Sequence, residues 1–130
     1  MIGEPMAVIS TPNAPAAIGP YSQGIVAGDF LFVSGQIPIV PETGNLVEGG
    51  IAEQTERSLR NLIAIIEEAG ADVSKIVKTS CYLAEIADFA AFNEVYGKMI
   101  DSAPARACFA VKDLPKGALV EVEAIVYLGE

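Results

Sequence analysis

Residues 51–69, IAEQTERSLRNLIAIIEEA, decide the fold class. Ile51, Thr55, Leu59, Leu62, Ile66 and Ala69 recur at steps of four and three, which places them along one face of a helix. Glu53, Glu56, Arg57, Arg60, Glu67 and Glu68 take the more polar faces, and Gly70 is a natural C-terminal stop. Such a helix needs an apolar surface to lie on, and the flanking sequence supplies strands. After it, Lys75 to Leu83 reads as a strand with Val77, Thr79, Cys81 and Leu83 on one face. A second helix is predicted from Ile86 to Ile100, with Phe89, Phe92, Tyr96 and Met99 as its buried stripe and Asp88 as its N-cap. Arg106 to Val111 and Leu119 to Tyr127 are two further strands, separated by a turn over 113–117. Before the first helix, Ser22 to Ala27 and Phe30 to Ser34 read as a hairpin about Gly28-Asp29, preceded by an irregular arm over 10–20 and followed by a loop at Pro38, Pro41 and Thr43-Gly44-Asn45. The order strand, strand, helix, strand, helix, strand, strand predicts an α+β sandwich, two helices packed on one mixed β-sheet.

No linker or repeat divides residues 1–130, which read as one domain. The chain is 52% apolar yet carries a net charge of −9, which excludes a disordered acidic tail. That apolar excess exceeds what one small core consumes, so burial between subunits is expected. No stretch approaches the ~18 apolar residues of a membrane span. The leading MIGEPMAVIS has neither the basic run nor the apolar segment of a signal peptide. Two cysteines, Cys81 and Cys108, fit reduced thiols in a cytoplasmic protein. With no histidine and two cysteines, His-ligated zinc, a thiolate zinc cage and a Ser–His base are excluded, and no metal or cofactor is expected. Eight basic against seventeen acidic residues argue against nucleic-acid binding.

Chemistry must therefore run on carboxylates, Arg, Lys, Tyr, Cys and water. Arg106 stands among Ala103, Pro104, Ala105 and Ala107, and alternation puts it on one face with Cys108 and Ala110. Its guanidinium is either a fork for a substrate carboxylate or one half of a salt bridge to a nearby Glu. Glu121 and Glu123 share a face of the very apolar last strand. They are either partly buried proton carriers with raised pKa or charges that keep an edge strand from aggregating. Cys108 reads as an inert thiol, since no histidine is present to activate it. Tyr21 follows Gly19-Pro20 on the arm, where it either packs or reaches a neighbouring site, and Ser34-Gly35-Gln36 marks a turn or a close approach of ligand to backbone. If the last two strands formed a simple hairpin, Arg106 would face Ile125 and not Glu121. Either those strands are not neighbours, or the two residues do not share a site.

Residues 13–24 (NAPAAIGPYSQG), 34–38 (SGQIP), 104–108 (PARAC) and 114–124 (LPKGALVEVEA) lie in order over nearly the whole chain, and together they resemble the RidA/YjgF family of reactive-intermediate deaminases. The resemblance implies a Bacillus chorismate mutase-like sandwich assembled as a homotrimer, with sites in the clefts between subunits and no direct pairing of the last two strands. It implies that Arg106 holds the substrate carboxylate and Glu121 positions or activates water. Cys108, Ser34 and Gly35 would line the pocket, with Tyr21 and Asn93 approaching from the neighbouring subunit. The implied activity is hydrolysis of 2-imino and 2-enamino acids, such as 2-iminopropanoate and 2-iminobutanoate, to 2-keto acids and ammonia. A keto- or amino-acid-binding regulatory trimer is the alternative, and a ribonuclease or translation inhibitor is a further one against which the acidic charge and missing histidine count. Ala103, Ala107 and the short link from Tyr96 to Pro104 depart from common members and bear on substrate size.

Overall fold

The amphipathic run forms α1 (Ile51–Glu68) in a computed structural model that describes residues 6–129. The first five residues of the leading stretch read above for a signal peptide lie outside the described residues. Six strands make one sheet: β1 (Ala7–Ile9), β2 (Gly24–Ala27), β3 (Phe30–Gln36), β4 (Ile76–Leu83), β5 (Ala105–Ala110) and β6 (Val120–Tyr127), with α2 (Phe89–Met99) between β4 and β5. Their spatial order is β1-β2-β3-β6-β4-β5; β4 and β5 run parallel and every other pair antiparallel. Two helices on a mixed sheet is the expected architecture. β4 lies between β6 and β5, so the last two strands do not pair and no hairpin joins them.

The core lies between the helices and one face of the sheet. Leu59, Leu62, Ile65 and Ile66 of α1 and Phe92 of α2 are fully buried, as are Leu31, Leu83, Val120, Val122 and Val126 on the strands. Removing one such leucine side chain costs about 2–5 kcal/mol. Residues 120, 122, 124 and 126 face this core, and the pleat sends 121, 123, 125 and 127 to the opposite face. That second face has no helix over it and exposes Phe32, Val77 and Phe109.

Several boundaries differ from the sequence reading. β1 is not legible in the sequence because three residues carry too little alternation, and Val8 on it is exposed. A register shift in the β4–β6 ladder between Ile76 and Lys78 turns Val77 outward, so Ile76, Thr79, Cys81 and Leu83 form the buried set. Residues 86–88 form a 3₁₀ turn leading into α2, and Asp88, though it precedes that helix, makes no side-chain cap hydrogen bond. The hairpin is as expected: Ala27 pairs with Phe30, and Gly28 turns the chain at φ +60°.

Polar side chains on the buried face of α1 fix the loops around the sheet. Ser58 Oγ donates to the Gln36 carbonyl at 2.5 Å. Asn61 Nδ2 donates to the carbonyls of Ile37 (3.2 Å) and Ile39 (2.9 Å), and Gln54 Oε1 accepts from Leu119 N–H at 2.8 Å. The arm over 10–20 is held by Gln23, which is almost fully buried. Its Oε1 accepts from Thr11 N–H at 2.7 Å, and its Nε2 donates to the carbonyls of Thr11 (3.1 Å) and Pro15 (2.8 Å). These bonds substitute for regular secondary structure along the arm. Gln23→Ala leaves the buried Thr11 N–H without an acceptor, and the expected loss is about 1–3 kcal/mol of stability by denaturant unfolding.

Candidate functional site

The pleat of β6 carries Glu121 and Glu123 onto the face away from the helices, where they floor a cleft of about 590 Å³. Its walls include Tyr21 from the arm, Ser34 and Gly35 from β3, and Pro115 and Lys116 from the turn before β6. Ile18, Ile37 and Ile39 add apolar surface. The β3–β6 register shifts between Val33 and Gln36, which lifts Ser34 and Gly35 out of the regular ladder. Ser34 is fastened instead to the arm's end, its N–H to the Gln23 carbonyl at 2.9 Å and its Oγ to the Ser22 carbonyl at 2.5 Å. The Glu121 carboxylate packs directly over Gly35, and a Cβ at that position would collide with it. The reason for glycine here is therefore space for a carboxylate and not a turn.

The two carboxylates are placed differently. Glu123 accepts a hydrogen bond from Tyr82 OH at 2.7 Å. Among the described residues no hydrogen-bond donor reaches Glu121. Burial, and secondarily the charge of Glu123, push the Glu121 carboxyl above the usual glutamate range. A carboxylate without donors, next to a like charge, is suited to taking a proton from water near neutral pH. Neither is on an edge strand, because β6 has β3 on one side and β4 on the other.

Arg106 lies elsewhere. It is on β5, the edge strand, paired with the buried Thr79 of β4, which itself pairs with Ala124 of β6; all three belong to the helix side of the sheet. Glu121 pairs with Tyr82, which pairs with Phe109, on the opposite side. Arg106 Nη1 donates to Asn93 Oδ1 of α2 at 2.7 Å, and its guanidinium stands over the rings of Phe89 and Tyr96. No ion pair to Arg106 occurs among the described residues, so none of them realises the salt-bridge alternative. Cys108 is half-buried on the same side as Arg106. Burial pushes its thiol up, with the Arg106 charge drawing it partly back, so it stays protonated near neutral pH. Cys81, its register partner on β4, is pushed up to about 12, chiefly by burial.

The expected residues thus fall into two groups within one chain. Tyr21, Ser34 and Gly35 gather around Glu121; Asn93 and Cys108 gather with Arg106. The resemblance places these residues in clefts between subunits; within one chain the pleat puts Arg106 and Glu121 on opposite faces, with Asn93 beside Arg106 and Tyr21 beside Glu121. Lys116, Phe89 and Tyr96 went unnoticed as site residues. The sign for Phe89 and Tyr96 was present: with Asn93 they sit at positions i, i+4 and i+7 of one helix, a spacing also produced by an ordinary core stripe. Among the described residues no three His, Cys, Asp or Glu side chains cluster as a metal site would require.

A family model described as Endoribonuclease L-PSP matches residues 11–128. The chain is 54% identical over 121 residues to a RutC family protein of Pyrococcus abyssi, covering 92% of this chain and 95% of that one. It is 46% identical over 123 residues to human 2-iminobutanoate/2-iminopropanoate deaminase, covering 94% and 90%. Among solved structures, YyfA of Yersinia pestis, from the conserved Rid family, superposes with a TM-score of 0.92 at 46% identity, covering 95% of this chain and 99% of that one.

The contact between Gly35 and Glu121 can be tested as a cycle. Gly35→Ala should lower the unfolding midpoint in the wild-type background and do so far less in a Glu121→Ala background, where the carboxylate is gone. Equal losses in both would show that the glycine does not serve that carboxylate.

Proposed function

The chain belongs to the Endoribonuclease L-PSP (RidA/YjgF) family, and on that premise we propose that it hydrolyses 2-imino acids and their enamine tautomers to 2-keto acids and ammonia. The observation that carries this reading is Arg106, a guanidinium with an amide and two aromatic rings for neighbours and, among the described residues, no carboxylate paired to it. Its remaining N–H groups suit a substrate carboxylate, in two charge-assisted hydrogen bonds of about 1.5–3 kcal/mol each. The naming of a 46% identical relative as an imine deaminase points the same way.

The reaction needs both halves of the site. The substrate carboxylate sits on Arg106, and Glu121 takes a proton as water attacks the imine carbon. With the substrate bound as its protonated imine, that proton passes to the nitrogen of the neutral carbinolamine, the C–N bond breaks to release ammonia, and Glu121 takes the hydroxyl proton as the 2-keto acid forms and later returns it to solvent; one water is consumed. Since Arg106 and Glu121 lie on opposite faces of one sheet, the reading requires β5 of one subunit to meet the Glu121 cleft of another. The uncovered face with Phe32, Val77 and Phe109 offers the apolar surface for a homotrimer whose three sites lie between subunits. We place the protein in the cytoplasm, where its two unpaired cysteines would stay reduced.

Turnover is measured by following disappearance of an imino acid generated in situ by a dehydratase. Arg106→Ala should lower kcat/KM by on the order of 10²–10⁴, and Glu121→Gln should lower kcat by about 10² while still binding a stable 2-keto acid. Glu123→Gln, whose side chain is engaged by Tyr82, should stay near wild type. Co-expressed Arg106→Ala and Glu121→Gln chains should regain activity, since a mixed trimer restores one intact site from two defective subunits. Inert mixtures with intact assembly would refute the shared site. Binding of keto acid with no turnover by the wild type would make the protein a ligand-binding regulator instead.

The acid limb of kcat gives a separate test. In the complex the substrate carboxylate neutralises Arg106, which leaves burial and Glu123 to hold Glu121 up. Catalysis requires the carboxylate form, so kcat should rise with pH through a pKa above the ordinary glutamate value of 4.5. The residual rate of Glu121→Gln should lack that limb.

A further inference from the structure

We infer that Phe89 and Tyr96 are positioning residues for Arg106, two ring faces that hold its guanidinium in the orientation a substrate carboxylate needs. The inference rests on the reading of Arg106 as the carboxylate clamp. Arg106 is exposed on an edge strand, where a long side chain would ordinarily sample many rotamers and lose that freedom on binding. Here it does not stand alone. Its Cζ lies 5.6 Å from the centroid of Phe89 and 5.0 Å from that of Tyr96, both within cation–π range. Asn93 Oδ1 takes Nη1 at 2.7 Å. Phe89, Asn93 and Tyr96 fall at i, i+4 and i+7 of α2, so one helix face supplies both rings and the amide.

The cradle is itself anchored. Tyr96 OH and the Thr79 hydroxyl are hydrogen-bonded at 2.7 Å, and Thr79 is fully buried. Thr79 is the register partner of Arg106 across β4 and β5. The ring under the guanidinium is therefore tied to the residue beside the arginine's own backbone, which fixes ring and arginine in one frame. Rings accept no hydrogen bond along their faces comparable to a carboxylate's, so they orient the cation without consuming the N–H donors that the substrate requires. A glutamate in their place would hold Arg106 as firmly and compete with the substrate for it.

The test is affinity for a stable product, 2-oxobutanoate, by calorimetry on the assembled protein, alongside steady-state kinetics. Phe89→Leu keeps apolar volume at a partly exposed position but removes the ring face. It should weaken Kd about five- to tenfold and raise KM similarly while kcat changes less than twofold; Phe89→Tyr should restore both. In an Arg106→Ala background Phe89→Leu should have no further effect on Kd, because no guanidinium is left to orient. Tyr96→Phe keeps the ring and loses the Thr79 tie, and should raise KM by a smaller factor than Phe89→Leu. Wild-type affinity in Phe89→Leu, or an equal loss with Arg106 already removed, would overturn the inference while leaving the clamp in place. Wild-type affinity in Arg106→Ala itself would overturn the clamp and this inference with it.

Discussion

β6 runs between β3 and β4, and hydrogen bonds on both sides fix its pleat, so no residue of it can change face without breaking two ladders. Val120, Val122, Ala124 and Val126 are held against the helices by burial, and Glu121 and Glu123 are sent to the other side by the same alternation. The position of the candidate base thus follows from the packing of the residues between which it sits. The same pleat, carried across β4 to β5, puts Arg106 on the helix side. From that one constraint come the core, the cleft and the separation of Arg106 from Glu121.

What could be read from the sequence is what a single strand or helix reveals by its own period. The α1 stripe, the alternation through 118–126, the Gly28 turn and the shared face of Arg106 and Cys108 are all local, and each reappears in the structure. What could not be read depends on partners distant in the chain. The insertion of β4 between β5 and β6 is a topological fact, and a simple hairpin through 113–117 is the wrong default because the two strands on either side of that turn belong to different neighbours. Gln54, Ser58 and Asn61 look like solvated helix positions, yet all are buried because backbone carbonyls and an N–H of the loops need partners there. Val77 breaks the alternation at a register shift no pattern announces.

The candidate residues were legible as types and only partly as groups. Arg106 and Glu121 stand out because a charged side chain in a strongly apolar or small-residue setting requires a reason. Their separation across the sheet follows from strand order, which sequence alone left open. Gly35 gave a weak signal, and its role emerges only when the residue above it is known to be Glu121. Spacing puts Phe89 and Tyr96 on the core stripe, yet only Tyr96 is buried among core residues, and its ring also lies under the guanidinium. One side chain can serve packing and site at once, and a period of 3.6 cannot separate the two uses.

The two acidic side chains on β6 illustrate how neighbours divide their roles. They are two residues apart, on one face, with the same chemistry. Glu123 has a phenol to donate to it, and the same bond, together with burial, raises the Tyr82 hydroxyl's pKa and keeps that donor protonated. Among the described residues Glu121 has no donor; it has a desolvated position over Gly35 and the charge of Glu123 beside it. Burial and a like charge beside it make the Glu121 carboxylate a stronger base than an ordinary glutamate. Arg106 is placed in the same way: rings and an amide surround it, and among the described residues no carboxylate pairs with it. Each half is thus built by what is absent around its charged group as much as by what is present. Within one chain the pleat keeps that anion and that cation on opposite faces of the sheet.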